Sequence, residues 1–379
     1  MRTICTLLLS TAWMLVSQQS FAGEQIVVAQ GAPDQAPKQP QVAVGADGNV
    51  DLVYGVGDAV FHSRSVDAGT SFSTPQLAFR VPNMSLGMRR GPRVASAGKS
   101  IVVTAIGGKL GKGKDGDLQA WHSTDDGATW TGPVNVNDTA GSAREGLHGM
   151  TAGTDESVWC VWLDLREKRT EVYVAKSTDG GATWGANIRV YRSPEKNVCE
   201  CCHPSIVANG KTVSVMFRNS LEGFRDMYVA VSNDGGAKFA PAKKIGQGTW
   251  KLAGCPMDGG MLTPDGKGGL ITVWRRQGEI FSAAGTGGKE RLLGRGEQPW
   301  VTASPQGPVA VWTDGREGDL WLNSADSRQP MKLSAAARDP MITTAPNGEG
   351  PIIACWESKR DGQSVVLATR IEPSKSASK

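Results

Sequence analysis

The chain has 379 residues, a formal net charge of +4, 48 glycines and 20 prolines. So small a charge on this length excludes nucleic acid or an anionic membrane surface as the expected partner. The turn-forming content, with no long apolar run at a 3.6-residue period, excludes a helical bundle and points to a soluble all-β protein.

Taken in order, the chain begins with Arg2, an apolar run Leu7–Val16 and the small-residue pattern Ser20-Phe21-Ala22. That combination reads as a secretory signal over residues 1–22, so an exported protein (periplasmic or secreted) is expected. The run is far short of the ~20 residues that span a bilayer, and no later stretch is long enough to do so. Cys5 would leave with the signal, so six cysteines would remain in an oxidising compartment. The apolar stretch Gln25–Ala29 is a strand without a sequence neighbour, and Gln30–Gln39 is a Pro- and Gly-rich connection.

A pair of strands then recurs seven times, starting at Pro40, Gly91, Gly149, His203, Pro256, Pro299 and Asp339. Tyr54, Trp162, Phe217, Trp274, Trp312 and Trp356 occupy the same late position of the second strand, as apolar wedges would. The segments Pro75–Phe79, Pro133–Val136, Ile188–Tyr191, Ala242–Ile245, Glu290–Leu293 and Met331–Leu333 read as outer strands. The last unit lacks one, and Gln25–Ala29 is the spare strand that would close the ring and remove its exposed edges. Residues 106–116 form a Lys/Gly loop, and 373–379 a disordered polar tail.

Between the third and outer strands stand four related octets, about 55 residues apart, a period typical of propellers. They are SVDAGTSF at Ser65–Phe72, STDDGATW at Ser123–Trp130, STDGGATW at Ser177–Trp184 and SNDGGAKF at Ser232–Phe239. Each is a turn in which an aspartate accepts backbone N–H bonds and a glycine supplies φ > 0. In these boxes the chain resembles the Asp-box (bacterial neuraminidase repeat) proteins, the sialidase-like β-propellers. The resemblance implies a single all-β propeller over residues 23–372. The repeats predict seven blades of four antiparallel strands, with the six of sialidases as the alternative.

In such a ring the boxes turn on one face, so Asp67, Asp125, Asp179 and Asp234 are read as structural, and ligands belong to the opposite face. The connections on that face carry unusual chemistry. Val198–Pro204 reads VCECCHP, and the next connection holds Cys255-Pro256-Met257-Asp258. Cys199, Cys201, Cys202, His203, Cys255 and Met257 are therefore expected near the axis. Three readings stand open: disulfides between neighbouring blades, a soft-metal site for copper or zinc, and a reactive thiol in basic surroundings. Cys160 and Cys355 lie inside strands and read as inert buried thiols.

The same face is basic. Arg89, Arg90, Arg218, Arg225, Arg275 and Arg316, with His148, are candidates for gripping a small carboxylate or phosphate. Sialidases hold a substrate carboxylate with three arginines and use a tyrosine nucleophile, its activating glutamate and an acid aspartate. Arg93, in Gly91-Pro92-Arg93-Val94, is the nearest match to their first arginine. His203 and Met257 stand where the other two would begin, and no tyrosine follows Tyr228. Glu145, Asp258, Glu297 and Asp339 are the carboxylates from which an acid–base pair would come. The expected function is a monomeric binding or redox-accessory propeller holding a soft metal or small anionic ligand at this Cys/His/Met/Arg funnel. The alternative is an exo-sialidase-like glycoside hydrolase acting on a glycan.

Overall fold

The computed structural model describes residues 23–110, 115–325, 327 and 329–372, and for Arg144 and Glu145 the backbone alone. The signal reading for 1–22, the tail 373–379 and the middle of the Lys/Gly loop fall outside the described residues. No described helix is long and apolar enough to cross a membrane.

Strands dominate because the β-branched and aromatic runs are short and bounded by turn residues. The first sheet pairs Lys38–Val44, Val50–Val56, Ala59–Ser65 and Gln76–Arg80 in chain order, antiparallel throughout. Four more sheets repeat this plan, with inner strands Arg93–Ala97, Ala143–Ala152, Ser205–Asn209 and Met261–Pro264. Second strands are apolar on both sides, since each sheet is packed between two others. Every residue of Val158–Asp164 is buried.

The remaining sheet has seven strands, and one of them belongs to two structural units. Met331–Thr343 pairs through Met331, Lys332, Ser334 and Ala337 with Gly318–Ser324, then through Arg338–Thr343 with Ile352–Arg360. Register shifts and the positive φ of Ala336 (50°) and Asp339 (47°) turn the strand between these partners. Ile26–Gly31 adds antiparallel to Gln363–Ile371, from Ile26 opposite Ala368 to Gly31 opposite Ser364. The inner strand Lys38–Val44 touches both Arg93–Ala97 and Ile352–Arg360, so the first unit packs on the last and the array closes as a propeller.

The wedges and boxes explain the packing. Tyr54, Trp162, Phe217, Trp274, Trp312 and Trp356 are all buried. The second sheet, which lacks that aromatic, has Trp121 stacked on Phe79 at 4.0 Å instead. Each box glycine lies against a strand of the preceding unit: Gly127 on His62, Gly181 on Val102, Gly236 on Trp159, and Gly69 on Ile353 of the last unit. With φ between 84° and 89° at all four, a side chain is excluded both by conformation and by this approach.

Candidate functional site

The boxes are self-contained turns. In each, the serine hydroxyl donates to the aspartate and accepts the glycine N–H, and the aspartate accepts the amide four residues on. Thr129 and then Ser123 hold the Asp125 carboxyl down at about 2. Asp67, Asp179 and Asp234 are lowered too; for Asp179 burial opposes the hydrogen bonds of Thr183 and Ser177 that lower it. These carboxylates are fully engaged locally.

On the other face, the residues leading into the inner strands take backbone conformations that side chains rarely adopt. Gln39, Arg89, Met257, Gln298 and Asp339 have φ of 54°, 57°, 63°, 57° and 47°. The bends turn their polar groups toward one another. Gln39 Nε2 donates to Asp339 Oδ2 (2.8 Å), the Asp339 amide donates to Gln298 Oε1 (2.8 Å), and the Gln298 amide donates to Asp258 Oδ2 (3.1 Å). The Gln39 amide donates to Glu357 Oε1 at 2.7 Å. The result is a buried polar belt from the first unit through the last to that of Asp258.

Three of the candidate arginines are built into this belt. Arg89 donates to the carbonyls of Pro340 (2.8 Å) and Gln298 (2.6 Å) and lies over the Trp300 ring. Arg93 donates to the carbonyls of Arg89, Pro92 and His148. Arg218 donates to the carbonyls of Arg225 and Arg275, with Asp258 Oδ1 at 3.8 Å. All three are at most 3 % exposed, so little of their donor capacity faces a ligand. Arg275 is partly exposed and pairs with Glu297 at 3.0 Å; Arg316 is exposed, and Arg225 and Arg90 are partly buried. The Glu145 side chain lies outside the described residues.

His148 and His203 face the axis. With Arg93, Met150, Met261, Met341 and Trp300 they line a cavity of about 40 Å³. Burial, then the nearby arginines, pushes both imidazoles well below the ordinary histidine range, so they are neutral at pH 7. The Gly259 amide donates to His203 Nδ1 at 3.1 Å, which puts the neutral ring's proton on Nε2. Its ring stacks on Trp300 at 5.7 Å. His203 therefore offers no free lone pair to a metal without losing that bond.

The sulfurs do converge. Backbone bonds from Val198 N to Thr170 O and from Cys199 N to Arg218 O pin the connection, and a turn follows. It throws Glu200 outward and brings Cys199, Cys201 and Cys202 to one side, their Sγ atoms all within 4.8 Å of one another. Cys199 Sγ lies 3.3 Å from that of Cys202 and 3.7 Å from that of Cys201. Met257 packs against the three. Cys255 is exposed and near Cys201, outside the group of three sulfurs. All six described cysteines are free thiols, so none of the expected bridges is formed. Hydrogen bonding with Cys201 and Cys202 lowers the Cys199 thiol's pKa, aided by Arg218 and Arg225. Its neighbours move up, Cys201 through its hydrogen bond with Cys199 and Cys202 chiefly because it is buried.

Glu357, Gln39, Gln298 and Trp250 escape the sequence reading. Burial and then Asp339 raise the Glu357 carboxyl to about 7. Trp250 is buried under the guanidinium groups of Arg218 and Arg275. Nothing in the local sequence marks these residues, because their partners are distant in the chain.

Residues 93–250 match the BNR repeat-like domain. No curated protein matches the chain in sequence. Among solved structures, it is similar to the α-L-arabinanase of Penicillium chrysogenum complexed with arabinobiose (11% identity, TM-score 0.52, covering 92% of this chain and 98% of that one). The GH93 α-L-arabinofuranosidase of Fusarium graminearum in complex with arabinobiose is alike at 12% identity and TM-score 0.53, covering 93% and 98%. The Hadza microbial sialidase Hz136 follows at 12% identity and TM-score 0.52, covering 91% of this chain and 68% of that one. At such identities the likeness is one of fold. Residues 93–250 therefore carry a BNR repeat-like domain, and the boxes and the ring of sheets give the chain the fold of the sialidase-like propellers.

Proposed function

We propose that this propeller binds one soft metal ion, Cu(I) ahead of Zn(II), through Cys199, Cys201 and Cys202. The observation that carries the reading is the convergence of three thiol sulfurs within 4.8 Å. Sulfurs sharing one ion at about 2.3 Å stand roughly 4 Å apart, so little rearrangement is required. A set of thiols with a thioether beside it and no nitrogen or open carboxylate selects Cu(I); structural zinc wants a fourth strong donor, and Cys255 stands outside the convergent group. Arg218 and Arg225 supply positive charge against the thiolates. In this reading the chain has seven blades, the strand Met331–Thr343 serving as outer strand of the sixth and inner strand of the seventh. Export, as the N-terminal segment suggests, would make the ion the protector of thiols that otherwise oxidise.

The test is anaerobic titration of the reduced full chain with Cu(I) and with Zn(II). About one equivalent of Cu(I) should bind, with thiol reactivity suppressed. Cys199→Ser and Cys202→Ser should each weaken binding strongly, while His203→Ala should leave it unchanged. Wild-type protein that takes up no ion would sink the reading.

A second reading, glycoside hydrolysis, draws on the fold likeness to arabinobiose-binding enzymes and on Glu357, a carboxyl held near neutrality beside Asp339. The axial cavity is far too small for a sugar ring, so a glycan would have to sit above the belt, at Glu297 and Arg275. Release of product from aryl arabinofuranosides or sialosides, abolished in Glu297→Gln, would favour it.

A further inference from the structure

We infer that Cys255 is a transfer ligand, the sulfur through which the ion moves between the buried thiols and an external soft-metal donor or acceptor. The inference rests on the metal reading above and adds a route and a class of partner to it. Exposure is graded along the sulfurs: Cys199 is 0% and Cys202 1% exposed, Cys201 8%, and Cys255 open to solvent. Cys255 precedes by two residues Met257, whose side chain packs against the three thiols, and this brings it near Cys201, the outermost of them. The sulfurs therefore form a ladder from the interior to the surface rather than a closed cage.

The two ends of this ladder are held by different blades. The three buried thiols lie in the connection into Ser205–Asn209, and Cys255 in the connection into Met261–Pro264. The second connection is anchored: Arg275 Nη1 donates to the Pro256 carbonyl at 3.3 Å, and Met257 turns at φ 63° with its side chain against the thiols. Cys255 is thus kept next to Cys201 while remaining reachable from outside.

An ion held by three buried thiolates has no route out that does not break bonds before new ones form. A low-coordinate Cu(I) accepts an incoming sulfur before it releases one. In the outward direction the Cys255 thiol gives its proton to solvent as its sulfur bonds the ion. One Cu–S bond to the buried group breaks, and that thiolate takes up a proton. A partner thiolate can then displace Cys255 in the same way, with no change in oxidation state. The partner this fits is a protein presenting an exposed thiolate site for the same ion.

The experiment loads the reduced full chain with one equivalent of Cu(I) and follows release to excess bicinchoninate by stopped flow. Cys255→Ser should keep about one equivalent with affinity within roughly threefold, yet release it about tenfold more slowly. Alkylating the exposed Cys255 of the metal-loaded wild type with iodoacetamide should slow release likewise, without dependence on a variant's folding. Unchanged release in both would overturn the inference and leave the metal reading intact. Loss of binding in Cys255→Ser, with a wild-type melt, would make Cys255 a full ligand and overturn it too. A wild type that binds no Cu(I) would remove the metal reading itself, and the inference with it.

Discussion

Glu357 carries the clearest consequence at the scale of single residues. Its carboxyl is buried, accepts the Gln39 amide and side chain, and faces Asp339. Burial first, then Asp339, raises it to about 7, above its value in an unfolded chain. A carboxyl raised in the folded state contributes stability that is full below its unfolded value and is lost as pH climbs toward 7. Glu357→Gln retains an acceptor for Gln39 and has no charge to bury. The variant should therefore melt like the wild type near pH 5 and be more stable near pH 8, by about 1–3 kcal/mol. Thermal melts at the two pH values decide it; equal differences at both would show that the carboxylate is not penalised by its site.

The Asp-box turn is the unit to examine at the scale of elements. Gly181 has φ 89°, and a Cβ there would meet Val102 of the preceding sheet at 2.8 Å. Gly181→Ala should lower stability by about 1–3 kcal/mol, through both the strained conformation and the loosened contact between sheets. Cu(I) uptake in the surviving folded protein should not change, since the turn lies on the face away from the thiols. A loss of uptake at full stability would reverse the assignment of faces. The same logic explains the wedges: a late aromatic in the second strand is needed wherever two sheets leave a gap, and Trp121 with Phe79 fills the one place where it is missing.

For the whole molecule, closure is the governing feature. Ile26–Gly31 caps the last sheet, and Arg360 Nη2 reaches Gln25 Oε1 at 2.7 Å beside it. Removing residues 23–31 exposes the edge of Gln363–Ile371 and loosens the packing of the last unit on the first. The truncated chain should melt in one cooperative transition at a clearly lower temperature. An unchanged melt would mean that the strand is an appendage.

The repeats, the box turns, the wedge aromatics and the spare N-terminal strand were legible in the sequence because each depends on short-range chemistry. Serine, aspartate and glycine complete their hydrogen bonds within four residues, and strand alternation is a local property of the chain. The clustering of Cys199, Cys201 and Cys202 was legible for the same reason. What only the tertiary structure decided is how long-range partners use the remaining groups. Arg89 gives its donors to carbonyls 209 and 251 residues away, so a guanidinium that reads as a ligand grip is a rivet between blades. His203 is next to Cys202 in sequence, but the Gly259 amide and the Trp300 ring turn it to the axis. Cys255 lies more than fifty residues from the clustered thiols and comes near them only because two blade connections are gathered at one rim, where Met257 packs on the thiols. Burying a donor or an imidazole requires a partner wherever the fold can supply one, and that supply depends on closure of the ring.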